Sequence, residues 1–258
     1  MQLDRRAWLR LSVGAALAPS PALARRHRPQ PQPLVVIDPG HGGKDPGCIG
    51  HAIEKHVVLA VGLALRRQLL ASRHCRVEMT RSTDVFIPLE QRVRFARQRR
   101  AAVMVSVHAN ASSDSGARGA NVYRFAYRAS DPLAAAAQRL ENSADRSEAS
   151  ASSQRGMNVQ HILANLMRRE TIRHSSRLQS DLVAGLDDDW RLCGGGARHA
   201  RFVVLSAPDV ASVLVELGFL TNRLDAAALS NPAHQAALAR TMGEQIDKYL
   251  VALQPRRS

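Results

Sequence analysis

The chain predicts an α/β fold: one domain with a twisted, mostly parallel sheet of about six strands flanked by helices. Three observations carry that expectation. Pro33-Leu-Val-Val-Ile-Asp38 and Ala101-Ala-Val-Met-Val-Ser-Val107 are continuous apolar runs without alternation, the pattern of strands buried on both faces. Glu54–Ala71 carries Val57, Val58, Val61, Leu65 and Leu69 at helical spacing. The two kinds of segment alternate along the chain, and that order builds parallel sheets.

The elements follow in order. Asp4-Arg5-Arg6 precedes a short apolar run, Leu11–Leu23, and a small-x-small site at Ala22-Leu23-Ala24. This reads as a twin-arginine export signal over 1–24, which places the mature protein in the periplasm. The run is too short to span a bilayer and contains two prolines, so no stable membrane anchor is expected after cleavage. An Arg/Pro/Gln-rich linker, 25–33, leads into a domain over 34–254. After the first strand and helix, Arg76–Thr80 reads as a second strand. A helix near Pro88–Arg99 starts on a proline, and Gly119–Phe125 is a shorter strand. Further on come a helix around Val159–Leu186, a loop over Asp187–His199, strands at Phe202–Leu205 and Val213–Glu216, and a last helix over about Pro232–Leu253. The interval Ser130–Gly156 stands apart: an alanine-rich helical piece, Leu133–Leu140, runs into Glu141-Asn-Ser-Ala-Asp145 and a Ser/Ala run. It is too polar for a core element, and is expected to be an insertion that covers or leaves the surface, spanning about 130–170.

Composition bounds the partners. The formal charge is +14, or +12 once segment 1–24 is removed, and such a balance favours polyanions. None of the nucleic-acid signatures is present, so the charge reads as attraction to an acidic envelope polymer, with Arg92, Arg94, Arg97, Arg99 and Arg100 as its densest cluster. Cys48, Cys75 and Cys193 are odd in number and widely spaced, which argues against a disulfide framework.

Four residues carry the candidate chemistry. His41 follows the first strand inside Asp38-Pro-Gly-His-Gly-Gly-Lys-Asp-Pro-Gly47, where glycines permit unusual backbone angles. His108 follows the strand 101–107, and a buried imidazole there needs a partner. Glu216 ends another apolar run, Ser212–Glu216, where an unpaired carboxylate is costly and its pKa rises. Glu54 opens a helix thirteen residues after His41, close enough to fold back over the same sheet edge. Two imidazoles and a carboxylate suit a tetrahedral metal with one open position, and a further carboxylate suits the base for a water held there. His51 and His56 compete as ligands, and spacing does not separate them from His41. The glycine-rich stretch lacks the Gly-Lys-Ser/Thr ending of a phosphate loop.

Taken together, Ile37–Gly47, Glu54-Lys55, Thr80-Arg81, Ser106–Ala111, Gly119–Tyr123 and Val213–Asn222 resemble the zinc-dependent N-acetylmuramoyl-L-alanine amidases, and in particular the periplasmic amidases of daughter-cell separation. The resemblance covers nearly all of the mature chain. It implies one Zn2+ held by His41, Glu54 and His108, with Glu216 as the catalytic glutamate cutting the muramyl–L-alanine amide of peptidoglycan. It also implies that Glu141, in Glu141-Asn142-Ser143-Ala144-Asp145, takes the open metal position as an autoinhibitory ligand until an activator protein at the division site displaces it. Two other readings on the same fold are a zinc peptidase acting on stem peptides and a catalytically silent wall-binding regulator. Two departures from the family are a thiol at Cys48, where a small residue is usual, and the lack of a wall-targeting domain ahead of the linker 25–33. Targeting is then expected from the catalytic domain, its charge or a partner.

Overall fold

The computed structural model describes residues 32–143 and 159–253, and of 159–166 only the backbone. The expected export segment 1–24, most of the expected linker 25–33 and residues 144–158 of the expected insertion lie outside the described residues.

Six strands form one sheet: β1 (Leu34–Pro39), β2 (Arg76–Met79), β3 (Val103–Asn110), β4 (Ala120–Phe125), β5 (Leu192–Ala200) and β6 (Ala211–Phe219). Their order is β2-β1-β3-β6-β4-β5. The first four in that order run parallel to one another; β4 runs antiparallel to β6, and β5 parallel to β4. The expected mostly parallel sheet of about six strands is therefore the observed one. Helices α1 (Glu54–Ser72), α2 (Leu89–Gln98), α3 (Pro132–Glu141), α4 (Val159–Asp189), α5 (Arg223–Leu229) and α6 (Pro232–Leu253) flank it.

Strand periodicity divides the core into two layers. Val35, Ile37, Val103, Val105, Val107, Val213 and Val215 face α1, α4 and α6, where Val58, Leu65, Leu182 and Ile246 meet them. Their alternates, Leu34, Val36, Met104, Leu214 and Tyr123, face α2, α3 and the turn after β5. Further along the same strands, that second face carries Asp38, Ser106, His108, Asn121 and Glu216, all buried. The apolar runs are thus buried on both faces, yet one face turns polar toward the C-terminal ends of β1, β3 and β6. The chain leaves β1 toward β2 through α1 and returns over the other face through α2 to β3. A crevice therefore opens between the ends of β1 and β3, the place where open α/β sheets bind ligands.

Three expectations are corrected. Phe202–Leu205 is no strand: Leu205 and Ser206 donate to the carbonyls of Phe202 and Val203 in tight turns, and Phe202, Val204 and Leu205 fill the second core layer. The strand lies instead at Leu192–Ala200, inside the expected loop. Its glycines 194–196 all take positive φ, and the register with β4 jumps from Ala120↔Leu192 to Val122↔Ala197. An edge strand pairing on one side only tolerates such a bulge. The insertion also contributes to the core, since Ala134 and Ala137 of α3 pack into the second layer. Alanines can do so despite low hydrophobicity because they let a helix approach closely. That helix starts as its sequence requires, with Asp131 accepting from the Ala134 amide at 3.0 Å and Pro132 in the first turn.

Candidate metal centre

His41 stands just past β1 with φ 57°, a left-handed conformation costly for any residue but glycine. It turns the imidazole back over the sheet edge. Gly40 makes room: a Cβ there would collide with the His108 ring. The two rings meet edge to face, 4.9 Å between centroids. His108 ends the apolar part of β3, and Glu54 comes from the first turn of α1, so three elements deliver the three groups.

Glu54 is fully buried, and its oxygens are occupied. Oε2 accepts from the Cys48 amide at 2.8 Å, and Oε1 from the Ala109 amide at 2.9 Å. Oε1 also lies 2.9 Å from His41 Nε2 and 3.1 Å from His108 Nδ1. Glu141, at the end of α3, closes the group: its Oε2 lies 3.3 Å from His41 Nε2 and 2.8 Å from His108 Nδ1.

These separations test the fit to a metal. Tetrahedral zinc, with bonds of about 2.0–2.1 Å, spaces its ligand atoms about 3.3 Å apart. The four ligand atoms of His41, Glu54, His108 and Glu141 all lie within 4.8 Å of one another, and the four contacts above fall between 2.8 and 3.3 Å. His41 Nε2 is buried and has no well-formed hydrogen bond even so. Oxygens flank it as ligands flank a shared ion. Behind the ring, Nδ1 meets Asp45 Oδ2 at 2.8 Å, and Asp45 Oδ1 accepts from the Gly47 amide at 3.0 Å. A carboxylate behind a ligating histidine fixes its tautomer and orientation.

The electrostatics favour a cation at the centre. Burial alone would lower the pKa of His41, but the Glu54 charge and the Asp45 hydrogen bond outweigh it and hold it far above 6.5. For His108, burial is likewise overcome, chiefly by the Glu141 charge, and the pKa rises to about 10. Carboxylates that favour a proton on these rings favour a metal ion between them for the same reason. Cys48 shows the same field from the other side: burial, then the Glu54 and Glu216 charges, push its thiol up to about 11. A thiol held protonated is a poor metal ligand and nucleophile.

Glu216 stands beside the quartet and is not part of it. It pairs in register with His108 on β3 and with Asn121 on β4, so the three share one row on the polar face. Its carboxylate is buried and neither oxygen has a hydrogen-bond partner. Burial raises its pKa well above the usual 4.5, and the Glu141 charge adds to that.

Space at the centre is tight. A cavity of about 10 Å³, room for roughly one water, is lined by Gly40, His41, Phe86, His108 and Glu141. Immediately outside, a groove of about 550 Å³ passes His41, Lys44, Phe86, Leu140 and Ser143. The end of α3 forms the wall between the two.

Asp38 anchors the crevice. Its Oδ1 accepts from Thr80 Oγ1 and Arg92 Nη1, and its Oδ2 from Ser106 Oγ. Burial pushes its pKa up, but the Arg92 guanidinium and these hydrogen bonds more than reverse that, leaving it below 3.8. A folded-state pKa below the unfolded value gives stability that is present above the unfolded value and lost as pH falls through the folded one. The urea midpoint should therefore drop more steeply below pH 3.8 in the wild type than in Asp38→Asn.

Of the residues singled out in the sequence, His41, Glu54, His108 and Glu141 come together, with Glu216 adjacent. His51 and His56 are exposed and lie outside the cluster. Asp45 was missed, although His-x-x-x-Asp in the glycine-rich loop was a readable signal. Arg92 was misplaced: it is buried against Asp38 and is no part of a basic surface.

Comparison with known proteins follows the same outline. A family model described as N-acetylmuramoyl-L-alanine amidase matches residues 35–248. N-acetylmuramoyl-L-alanine amidase AmiC of Neisseria meningitidis is 36% identical over 84% of this chain and 53% of its own length. AmiA of Escherichia coli is 35% identical over 84% of this chain and 75% of its own. Among solved structures, amidase AmiC2 of Nostoc punctiforme aligns with TM-score 0.59 and 28% identity, covering 85% of this chain and 97% of that one.

Proposed function

Because the chain belongs to the N-acetylmuramoyl-L-alanine amidase family, we propose that it is a zinc hydrolase of peptidoglycan, cutting the amide between N-acetylmuramic acid and L-alanine. The observation that carries the reading is the buried quartet of ligand atoms with the partnerless Glu216 carboxylate beside it. His41, Glu54 and His108 hold the ion. Zinc supplies Lewis acidity to the scissile carbonyl and to the attacking water. Asp45 keeps the His41 ring turned toward the centre. The Glu216 carboxylate takes the proton of the attacking water and then delivers it to the departing amide nitrogen of L-alanine. Its raised pKa suits that shuttle, since a group needing both states works best with a pKa lifted toward the working pH.

Glu141 fills the fourth position in this reading. With its oxygen 2.8 Å from His108 Nδ1, the end of α3 stands where the substrate carbonyl must enter. The enzyme rests closed, and an activator protein that draws α3 aside opens it. Export through segment 1–24, the linker 25–33, a periplasmic place of action and a role in daughter-cell separation belong to the same proposal. Among the described residues no helix is long and apolar enough to cross a membrane.

The test is dye release from purified peptidoglycan with a chelator and after zinc is restored. Chelation should abolish release and zinc should recover it, and mass spectrometry of the fragments should find free lactyl carboxyl groups on muramic acid. Cut stem peptides would identify a peptidase instead; no release from an unlatched, zinc-loaded protein would identify a silent binder. Zinc at a hundred times its Kd should also stabilise the fold by about 2.7 kcal/mol, read as a rise in Tm that chelator removes.

A further inference from the structure

Three consecutive carbonyls at the end of β1, those of Pro39, Gly40 and His41, are all bound by guanidinium groups. Arg92, from α2, donates from Nη1 to the Pro39 oxygen at 2.7 Å and from Nη2 to the His41 oxygen at 2.7 Å. Its Nη1 also meets Asp38 Oδ1 at 2.8 Å, and its Nε the Ile87 oxygen at 2.8 Å. Arg81, after β2, donates from Nε to the Pro39 oxygen at 2.9 Å and from Nη2 to the Gly40 oxygen at 2.6 Å. The same Nη2 reaches the Lys55 oxygen at 3.0 Å, in the turn that carries Glu54, and Nη1 binds the Thr83 oxygen at 3.1 Å. Both arginines are almost wholly buried, at 3% and 2% exposure for Arg81 and Arg92.

We propose that Arg81 and Arg92 form a clamp that positions the metal ligands: Arg92 holds His41 in its left-handed turn, and Arg81 sets the His41 loop against the Glu54 helix. They are positioning residues, since both act through backbone carbonyls and neither hydrogen-bonds a ligand atom of the quartet. The proposal rests on the reading of His41 and Glu54 as zinc ligands. Its physical basis is that His41 cannot relax to ordinary backbone angles while its own carbonyl and the two before it are pinned. A planar fork with donors on several edges can bind carbonyls in different directions at once; a lysine ammonium is a single point and cannot. Asp38 balances the Arg92 charge in this buried place, and Thr80 and Ser106 hold Asp38 in turn. The contacts thus run from β1, β3, the segment after β2 and two helices onto one short loop.

The experiment compares the full-length wild type with Arg92→Lys and Arg81→Lys, both keeping charge, and with Arg97→Lys as a control on α2. Arg97 is partly exposed and pairs with Asp209 away from the centre. Folding is checked by circular dichroism and Tm, zinc Kd by competition with a chromogenic chelator, and hydrogen exchange across residues 38–47 by mass spectrometry. Each clamp variant should bind zinc about 10- to 100-fold more weakly, as losses behind metal ligands typically do. At saturating zinc, kcat should fall while KM stays within about twofold. Exchange at 40–47 should quicken, and Arg97→Lys should change none of these. A role in stability alone would lower Tm while leaving zinc Kd and loop exchange at wild-type values in the folded variants, and that result overturns the clamp. If the wild type itself takes up no zinc, the reading of the ligands fails separately. Loop exchange then decides the clamp: faster in both variants supports it, unchanged overturns it.

Discussion

Glu216→Gln should leave zinc bound and remove turnover. The amide keeps the size and most of the shape of the carboxylate but cannot accept a proton, and loss of a positioned acid–base group costs on the order of 10²–10⁴-fold in rate. The zinc content of the variant should match the wild type, because Glu216 lies outside the four ligand atoms. Stability should hold or rise: the substitution replaces a buried carboxylate without partners by a neutral group. Dye release, metal analysis and urea unfolding on one preparation check all three. Wild-type activity in Glu216→Gln would sink the assignment, and loss of zinc would recast Glu216 as a ligand.

Glu141→Ala should do the opposite and raise basal activity without an activator. Truncating the side chain takes away the oxygen between His41 and His108 and opens the 10 Å³ cavity toward the neighbouring groove. Each 1.4 kcal/mol by which the closed arrangement is weakened is about tenfold in the open population, so a rise of tenfold or more is expected. The point substitution is sharper than removal of residues 130–156. Ala134 and Ala137 belong to the core, so a deletion would expose Tyr123, Phe202 and their neighbours and confound unlatching with unfolding. A folded Glu141→Ala protein with unchanged or lower release would count against a latch.

The two histidines were legible because each follows an apolar run that can only be a buried strand, and an imidazole at such a place needs explaining. Glu54 was weaker, since a glutamate in a first helical turn ordinarily just complements the helix dipole. Its separation from His41 and the family resemblance supplied the rest. Arg92 shows where reading by composition fails. Five arginines in nine positions look like a charged surface, yet helical periodicity sends one of them inward, and nothing local reveals the aspartate waiting there. Leu192–Ala200 shows a similar limit. Three glycines and a histidine carry no strand propensity, and the segment is extended because β4 offers it an unpaired edge.

Sequence by itself determined the fold class, the strand ends that carry His41, His108 and Glu216, and the chemical types gathered there. These depend on local periodicity and on the cost of burying polar groups, which are written in neighbouring residues. Only the tertiary structure decided that Arg81 and Arg92 converge on the His41 loop and that Glu141 lies between the two imidazoles. Those are contacts between elements far apart in the chain: Arg92 and Asp38 are separated by 54 residues, Arg81 and Gly40 by 41. Strand order and the crossing of α2 over the sheet bring such groups together, and no short-range pattern encodes that geometry.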